Sequence, residues 1–90
     1  MSFQLFSLGQ CVLTQGVRSL KYTTEEMLDV LDRHQSGDWG DLDLQDKEQN
    51  DFSLQNNQRL LSSYKVADTK IWVITEWDRS STTILLPDEY

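Results

Sequence analysis

The stretch RLLSSYKVADTKIWVITEWDRSSTTILLP, residues 59–87, contains three runs rich in β-branched, aromatic and aliphatic side chains. These runs are RLLSSYKV (59–66), KIWVITEW (70–77) and STTILLP (81–87), and the breaks between them have the length of hairpin turns. Short runs of this composition, separated by turn residues, are typical of antiparallel strands. The pattern predicts a three-stranded antiparallel β-meander with KIWVITEW as its middle strand.

The middle strand carries apolar side chains on both faces. Alternation along the strand places one set on each face of the sheet: Ile71, Val73, Thr75 and Trp77 on the first, and Trp72, Ile74 and Glu76 on the second. A strand of this kind needs cover on both sides, or it forms a face between two copies of the chain.

Two helices are predicted ahead of the meander. In YTTEEMLDVLDRHQSG (22–37), Thr23 and Glu26 have the spacing of a capping box, and Gly37 is well placed to end the helix. In DLQDKEQNDFSLQNN (43–57), Asp43 is predicted to be the N-cap, and the two final asparagines tolerate a helix-ending turn.

The residues before these helices are predicted to be mostly extended. Phe3–Leu13 reads as a short extended piece, and Thr14 is placed to cap a helical turn over Gln15–Leu20. The predicted fold is therefore α+β: an N-terminal extended piece and two helices, followed by a three-stranded antiparallel β-meander, in one domain spanning residues 1–90.

Composition indicates a cytoplasmic protein without a cofactor. The hydrophobic fraction of 38% is enough for one small core, and no apolar run approaches the roughly 20 residues that span a bilayer. The N-terminus lacks the features of a signal peptide. One cysteine, Cys11, and one histidine, His34, almost exclude a zinc site, and Cys11 is expected to be a buried structural thiol.

The net charge of −7 is concentrated in the middle of the chain. Residues 25–51 contain ten acidic and two basic residues, whereas the remaining residues contain five acidic and six basic ones. Nucleic-acid backbone binding requires an excess of lysine and arginine, so the sequence argues against it. The same charge favours attraction to a basic protein surface.

The most acidic stretch, HQSGDWGDLDLQDKEQND (34–51), does not have the pattern of a calcium loop. An EF-hand loop requires glutamate at its twelfth position, and a loop starting at Asp41 or Asp38 has Phe52 or Gln49 there. The interpretation adopted is a protein-binding surface, with acids around an aromatic anchor. Its residues are Asp38, Trp39, Asp41, Asp43 and Asp46. The alternative is that these acids cap a helix and aid solubility while Trp39 fills the core.

A second hypothesis is a small RNase or toxin-like enzyme that uses the sheet face. His34, Glu76 and Arg79 would then act as base, acid and phosphate clamp. The alternative for these residues is ordinary structure: a histidine near a helix end, and turn residues paired with their neighbours. The acidic charge argues against an enzyme that must attract RNA, so no catalytic residue is assigned.

The motifs SGDWGDL (36–42) and IWVITEWDRSSTTILLPDEY (71–90), with Leu8-Gly9-Gln10 near the start, resemble a family of small bacterial proteins carried on plasmids and other mobile elements. The family pattern is similar to IWVITExDRSxTTILLPxEY, and this chain departs from it at Trp77, where the family has a small residue, and conservatively at Asp88. The resemblance covers nearly the whole chain. It implies a mobile-element setting and no particular activity.

Taken together, the sequence predicts a non-enzymatic acidic protein-interaction domain. Its expected partner is a basic or nucleic-acid-handling protein, and it would act as an inhibitor or regulator of a host system that acts on nucleic acid. Neither direct nucleic-acid binding nor membrane binding is expected. A structural homodimer built through strands 71–77 and 81–86 is the third hypothesis.

Overall fold

The computed structural model describes residues 4–90, which form helices around one mixed sheet of four strands. In chain order the elements are β1 (Gln10–Leu13), α1 (Gln15–Ser19), α2 (Thr24–Gln35), α3 (Leu44–Gln55), β2 (Leu60–Val66), β3 (Thr69–Thr75), β4 (Ser81–Leu85) and a 3₁₀ turn (Pro87–Glu89). The strands lie side by side in the order β1-β4-β3-β2. The predicted α+β class is confirmed.

The antiparallel meander predicted from residues 59–87 is formed by β2, β3 and β4. β2 pairs with β3 over its whole length, and β3 pairs with β4. Ala67 and Asp68, which join β2 to β3, both have positive φ, of 49° and 66°. Positive φ at both central residues is the mark of the tight hairpin turn whose twist matches the flanking strands.

The predicted three-stranded antiparallel sheet is corrected in one respect, because β1 adds a fourth strand that runs parallel to β4. Gly9 makes this approach possible: a Cβ at this position would lie 2.3 Å from the carbonyl oxygen of Ser80. β1 is only four residues long and pairs with residues about 70 positions away. Such a pairing leaves no local periodicity in the sequence. Phe3, part of the predicted extended piece, lies outside the described residues.

The helix boundaries follow the predicted caps. The Thr23–Glu26 capping box is present at the start of α2, and the Asp43 side chain accepts a hydrogen bond from the Asp46 amide at the start of α3. Gly37 has φ +88°, directly after the residue that caps the end of α2. Thr14 caps α1, as predicted for the helical turn over Gln15–Leu20, so residues 4–90 contain one more α-helix than the two of the predicted fold.

The core lies between the inner face of the sheet and the helices α1 and α2. It is built from apolar side chains of both layers: Val17, Met27, Val30, Tyr64, Ile71, Val73 and Ile84. The predicted face of β3 that holds Ile71, Val73 and Thr75 is this inner face, and all three side chains are fully buried. Trp77 lies beyond β3 in the following turn and is exposed.

Candidate functional site

The acidic connection, defined here as residues 36–43 between α2 and α3, lies along the outer edge of β2. Gly40 forms a parallel bridge with Ser63. The Asp41 amide donates to the Ser63 carbonyl at 2.6 Å, and the Ser63 amide donates to the Trp39 carbonyl at 3.2 Å. The acidic connection is therefore held against the sheet by backbone hydrogen bonds on both sides of Gly40.

Asn50 of α3 continues the same edge with its side chain. Its amide nitrogen donates to the Leu61 carbonyl at 2.6 Å, and its amide oxygen accepts from the Leu61 N–H at 3.1 Å. The side chain thus satisfies the two groups that a neighbouring strand would have paired. Because an open edge invites unwanted strand pairing, this arrangement closes the β2 side of the sheet.

Asp38 has a structural role at the start of the acidic connection. Its carboxylate accepts from the Arg33 guanidinium at 2.8 Å and from the Gly40 amide at 3.2 Å. The hydrogen bond from Arg33 is the main reason that the pKa of Asp38 lies below its usual value. Arg33 also lies over the Tyr64 ring, 4.6 Å from its centroid. Asp38 is therefore engaged within the fold.

Of the three other acids predicted to bind a partner, one caps a helix and two have carboxylates that face solvent. Asp43 is the N-cap of α3, as described above. Asp41 and Asp46 are exposed, and within residues 4–90 neither carboxylate makes a hydrogen bond or an ion pair with a side chain. These two carboxylates are the members of the predicted surface that remain open to a partner.

Trp39 is buried and does not form an exposed anchor. It is 4% exposed, and its indole nitrogen donates to the Asp51 carboxylate at 3.0 Å. The ring stacks on Phe6 at a centroid distance of 6.3 Å and meets His34 edge-on at 5.8 Å. The partner-binding role predicted for Trp39 is therefore corrected: in this fold Trp39 is a core residue, as in the alternative interpretation.

α3 exposes apolar side chains that the sequence interpretation did not single out. It packs on the sheet with Asn50 and Ser53, while Leu44 is 72% and Phe52 53% exposed. Leu44, Glu48 and Phe52 are spaced four residues apart and so lie on one side of the helix. The sequence signal for this surface is weak, because the few apolar residues of α3 do not form a continuous stripe.

His34 lies at the centre of a buried chain of hydrogen bonds. The Thr82 hydroxyl donates to the Leu8 carbonyl at 2.7 Å, so it must accept from the Thr75 hydroxyl at 2.7 Å. Thr75 then accepts from His34 Nε2 at 2.9 Å, which places a proton on Nε2, and His34 Nδ1 lies 2.5 Å from the Ser62 hydroxyl oxygen. When the imidazole is neutral, Nδ1 accepts from Ser62 and each group donates once in a single direction.

The surroundings of His34 also favour the neutral form. The side chain is fully buried, and this burial, assisted by the positive charge of Arg79, lowers its pKa from 6.5 to about 3. A base needs access to its substrate and a free nitrogen. His34 has both nitrogens engaged and no exposed surface, so its arrangement is that of a satisfied core histidine.

Glu76 and Arg79 are also occupied within the fold. Glu76 forms an ion pair with Arg59 at 3.6 Å. The Arg79 guanidinium donates to three backbone carbonyls, those of Gln58, Glu76 and Ser53, at 2.6–3.2 Å. Arg79 thereby ties the β3–β4 turn to the end of α3. The three residues of the RNase hypothesis are not assembled into an open site among residues 4–90.

Two further predictions concern Cys11 and the strands of the homodimer hypothesis. Cys11 is exposed on β1, so the expectation of a buried thiol is wrong. β3 lies between two neighbours in the sheet, and β4 does as well, so neither offers a free edge. Their outer face is partly covered, since Trp72 meets the Tyr90 ring edge-on at 5.7 Å.

Within residues 4–90, no cluster of His, Cys, Asp and Glu has the geometry to hold a metal.

The comparisons with known proteins return nothing for this chain: no family model, curated protein or solved structure matches it. The likeness to the mobile-element family therefore stays a prediction. Separately, none of the helices in residues 4–90 has the length and apolar character required to cross a membrane.

Proposed function

We propose that this chain is a non-enzymatic, cytoplasmic protein-interaction domain that binds a basic protein through the exposed side of α3 and the acids beside it. The observation that carries the proposal is the orientation of α3, which turns Leu44 and Phe52 to solvent with Glu48 between them. Apolar side chains of this size, surrounded by carboxylates, are typical of a surface that a partner covers.

Charge supports a basic partner. The chain carries 15 acidic residues, and within residues 4–90 Asp38 is paired with Arg33 and Glu76 with Arg59. Asp41, Asp46 and Glu48 are exposed near the two apolar side chains along the chain. Carboxylates without internal partners attract a cationic surface and select against an anionic one.

The partner class that fits this surface is a protein whose own basic face binds nucleic acid, because a row of carboxylates presents charges similar to those of phosphates. Bound there, the domain would act as an inhibitor or regulator of a nucleic-acid-handling host system. The mobile-element resemblance of the motifs at 36–42 and 71–90 is consistent with such a role.

Affinity capture from bacterial lysate, with mass spectrometry of the captured proteins, tests the proposal. The unchanged chain is compared with Leu44→Ser/Phe52→Ser and with Asp46→Asn/Glu48→Gln. The matched controls are Leu20→Ser/Trp77→Ser and Asp68→Asn/Asp88→Asn, which alter exposed residues elsewhere.

The expected result is that one basic nucleic-acid-binding protein is captured by the unchanged chain and by both controls. Its recovery should fall by about tenfold or more with either α3 variant, as for the loss of one interface anchor. Equal recovery with all five chains, or capture of acidic proteins only, would overturn the proposal. Circular dichroism confirms that each variant keeps the fold.

A further inference from the structure

The two edges of the sheet differ in whether another segment covers them. The β2 edge is closed by the acidic connection and by the Asn50 side chain. β1 is the opposite edge: it pairs with β4, and residues 4–90 provide no strand on its other side. All four β1 residues are exposed.

The outward-facing backbone groups of β1 follow from its register. The Gln10 amide donates to the Ser80 carbonyl at 3.0 Å, and the Thr14 amide donates to the Ile84 carbonyl at 3.1 Å. In a parallel ladder alternate residues bond to the neighbouring strand, so residues 10, 12 and 14 face β4. The N–H and C=O groups of Cys11 and Leu13 therefore point away from the sheet, where an added strand would meet them.

A groove runs between this edge and α2. It has a volume of about 600 Å³. Its apolar lining consists of Leu8, Cys11, Leu28 and Leu31, and its polar lining of Glu25, Asp29, Asp32 and Gln35. Leu28 is 59% exposed although it lies on a helix that packs against the core. The groove thus combines apolar side chains with three carboxylates of α2, and no lysine or arginine lines it.

We propose that β1 and this groove bind an extended segment of a partner protein that pairs with β1 as a fifth strand and carries lysine or arginine at alternate positions. Alternate side chains of an added strand point to the same face. Their aliphatic stems would lie on Leu28 and Cys11, and their charges would meet Glu25 and Asp29. The backbone bonds supply affinity, and the acidic wall selects the basic sequence.

A second copy of this chain does not fit the groove as well. Pairing of β1 with β1 of another copy would supply the strand Gln10–Leu13, which has no charged side chain. It would also bring the two acidic sides of α2 towards each other across the symmetry axis, and like charges there oppose association. Charge therefore favours a basic segment from a different protein.

This inference rests on the proposed function in one respect, the basic nature of the partner, but the binding surface lies at the opposite edge of the sheet. The exposed acids of α3 and of the acidic connection lie at the β2 edge, whereas Glu25 and Asp29 flank β1. Variants on the two sides separate the two proposals.

The test uses a fluorescently labelled peptide of alternating lysine and valine, with binding followed by anisotropy. Cys11→Pro removes one outward N–H without touching a bond to β4, and Cys11→Ala is its matched control, which keeps that N–H. Glu25→Gln/Asp29→Asn neutralises two of the three carboxylates that line the groove, with Asp41→Asn/Asp46→Asn as the control at the other edge of the sheet. A peptide N-methylated at alternate amides tests the same hydrogen bonds with the unchanged chain.

The expected result is that the peptide binds the unchanged chain and Asp41→Asn/Asp46→Asn with equal affinity, and that Cys11→Ala, which trims the side chain but keeps the N–H, weakens binding far less than Cys11→Pro. Binding should weaken roughly tenfold with Cys11→Pro, with Glu25→Gln/Asp29→Asn and with the N-methylated peptide. An alternating glutamate–valine peptide should not bind. Binding also protects the Cys11 thiol from alkylation, and this thiol is the single one in the chain.

Four outcomes would overturn the inference. The first is an absence of peptide binding, and the second is equal binding of the N-methylated and unmodified peptides. The third is a dimer in sedimentation that Cys11→Pro dissociates, since the occupant would then be a second copy. Binding lost only with Asp41→Asn/Asp46→Asn also refutes the inference while leaving the proposed function in place. If Cys11→Pro does not fold, the N-methylated peptide still decides the question.

Discussion

Acidification from about pH 7 to about pH 5 should destabilise this chain through His34 alone. His34 is the only histidine, and the carboxylates of an unfolded chain titrate at lower pH. Burial lowers the pKa of His34 to about 3 in the folded state, against 6.5 for an ordinary imidazole. Below pH ~6.5 the unfolded chain therefore binds a proton that the folded chain does not.

The sign and size of the effect follow from this difference. Because the folded pKa is depressed, the stability contributed by the neutral imidazole is complete above about pH 6.5 and is lost as the pH falls towards 3. Over the window from pH 7 to pH 5, the free energy of unfolding should fall by ~2 kcal/mol. At lower pH, protonation of Asp38, whose pKa is also depressed, adds to the loss.

Urea unfolding at a series of pH values, followed by circular dichroism, measures this dependence. His34→Gln is the informative variant, because glutamine also offers a donor and an acceptor but does not titrate. We expect it to be less stable than the unchanged chain at neutral pH, since the ring contacts with Phe6 and Trp39 are lost. Its stability should be nearly constant over the same window. A flat profile for the unchanged chain, or equal slopes for both, would refute the neutral buried imidazole.

Three further predictions, with five substitutions among them, test the remaining structural claims. Asn50→Ala should lower the free energy of unfolding by ~2–3 kcal/mol in urea titrations, because it leaves a backbone N–H and C=O at the β2 edge without partners. Gly40→Ala should be much more destabilising than Gly37→Ala: both positions have positive φ, but at Gly40 the added Cβ would collide with a backbone oxygen. Trp39→Phe should remove the blue-shifted, quencher-resistant part of the fluorescence emission, and Trp77→Phe the quencher-accessible part; the reverse assignment would contradict the burial of Trp39.

Local chemistry explains why much of the fold was predictable. The capping residues Thr14, Thr23 and Asp43 each bond within three residues of themselves, so their signal is contained in a short window of sequence. The meander likewise consists of neighbouring strands joined by short turns, and its apolar alternation is visible directly. These elements formed at the predicted places.

The remaining features depend on residues distant in sequence. β1 can pair with β4 because Gly9 has no side chain, which lets the backbone of the β3–β4 turn approach closely. No periodic pattern in the sequence predicts this contact. The buried chain of hydrogen bonds through His34 joins side chains from one helix and three strands. The only sequence signal for it is that the strand residues of the chain occupy inward-facing positions.

The local composition did not distinguish an exposed Trp39 from a buried one. Tryptophan between acids is equally typical of an exposed anchor and of a core residue, and the neighbouring Phe6 and His34 made it the latter. Nearby in the chain, the exposed apolar residues are instead on α3, where Leu44 and Phe52 face solvent while Asn50 bonds to the sheet edge. A sequence pattern does not reveal which side of a weakly amphipathic helix is buried.

Hydrogen–deuterium exchange of the chain, with and without the basic protein that it captures, would locate the partner's binding surface. We expect the partner to slow exchange along the acidic connection and α3, residues 36–55, where the exposed carboxylates and the two apolar side chains lie. Protection confined to the β2–β3 turn and the C-terminal 3₁₀ turn, with no change over residues 36–55, would contradict this expectation.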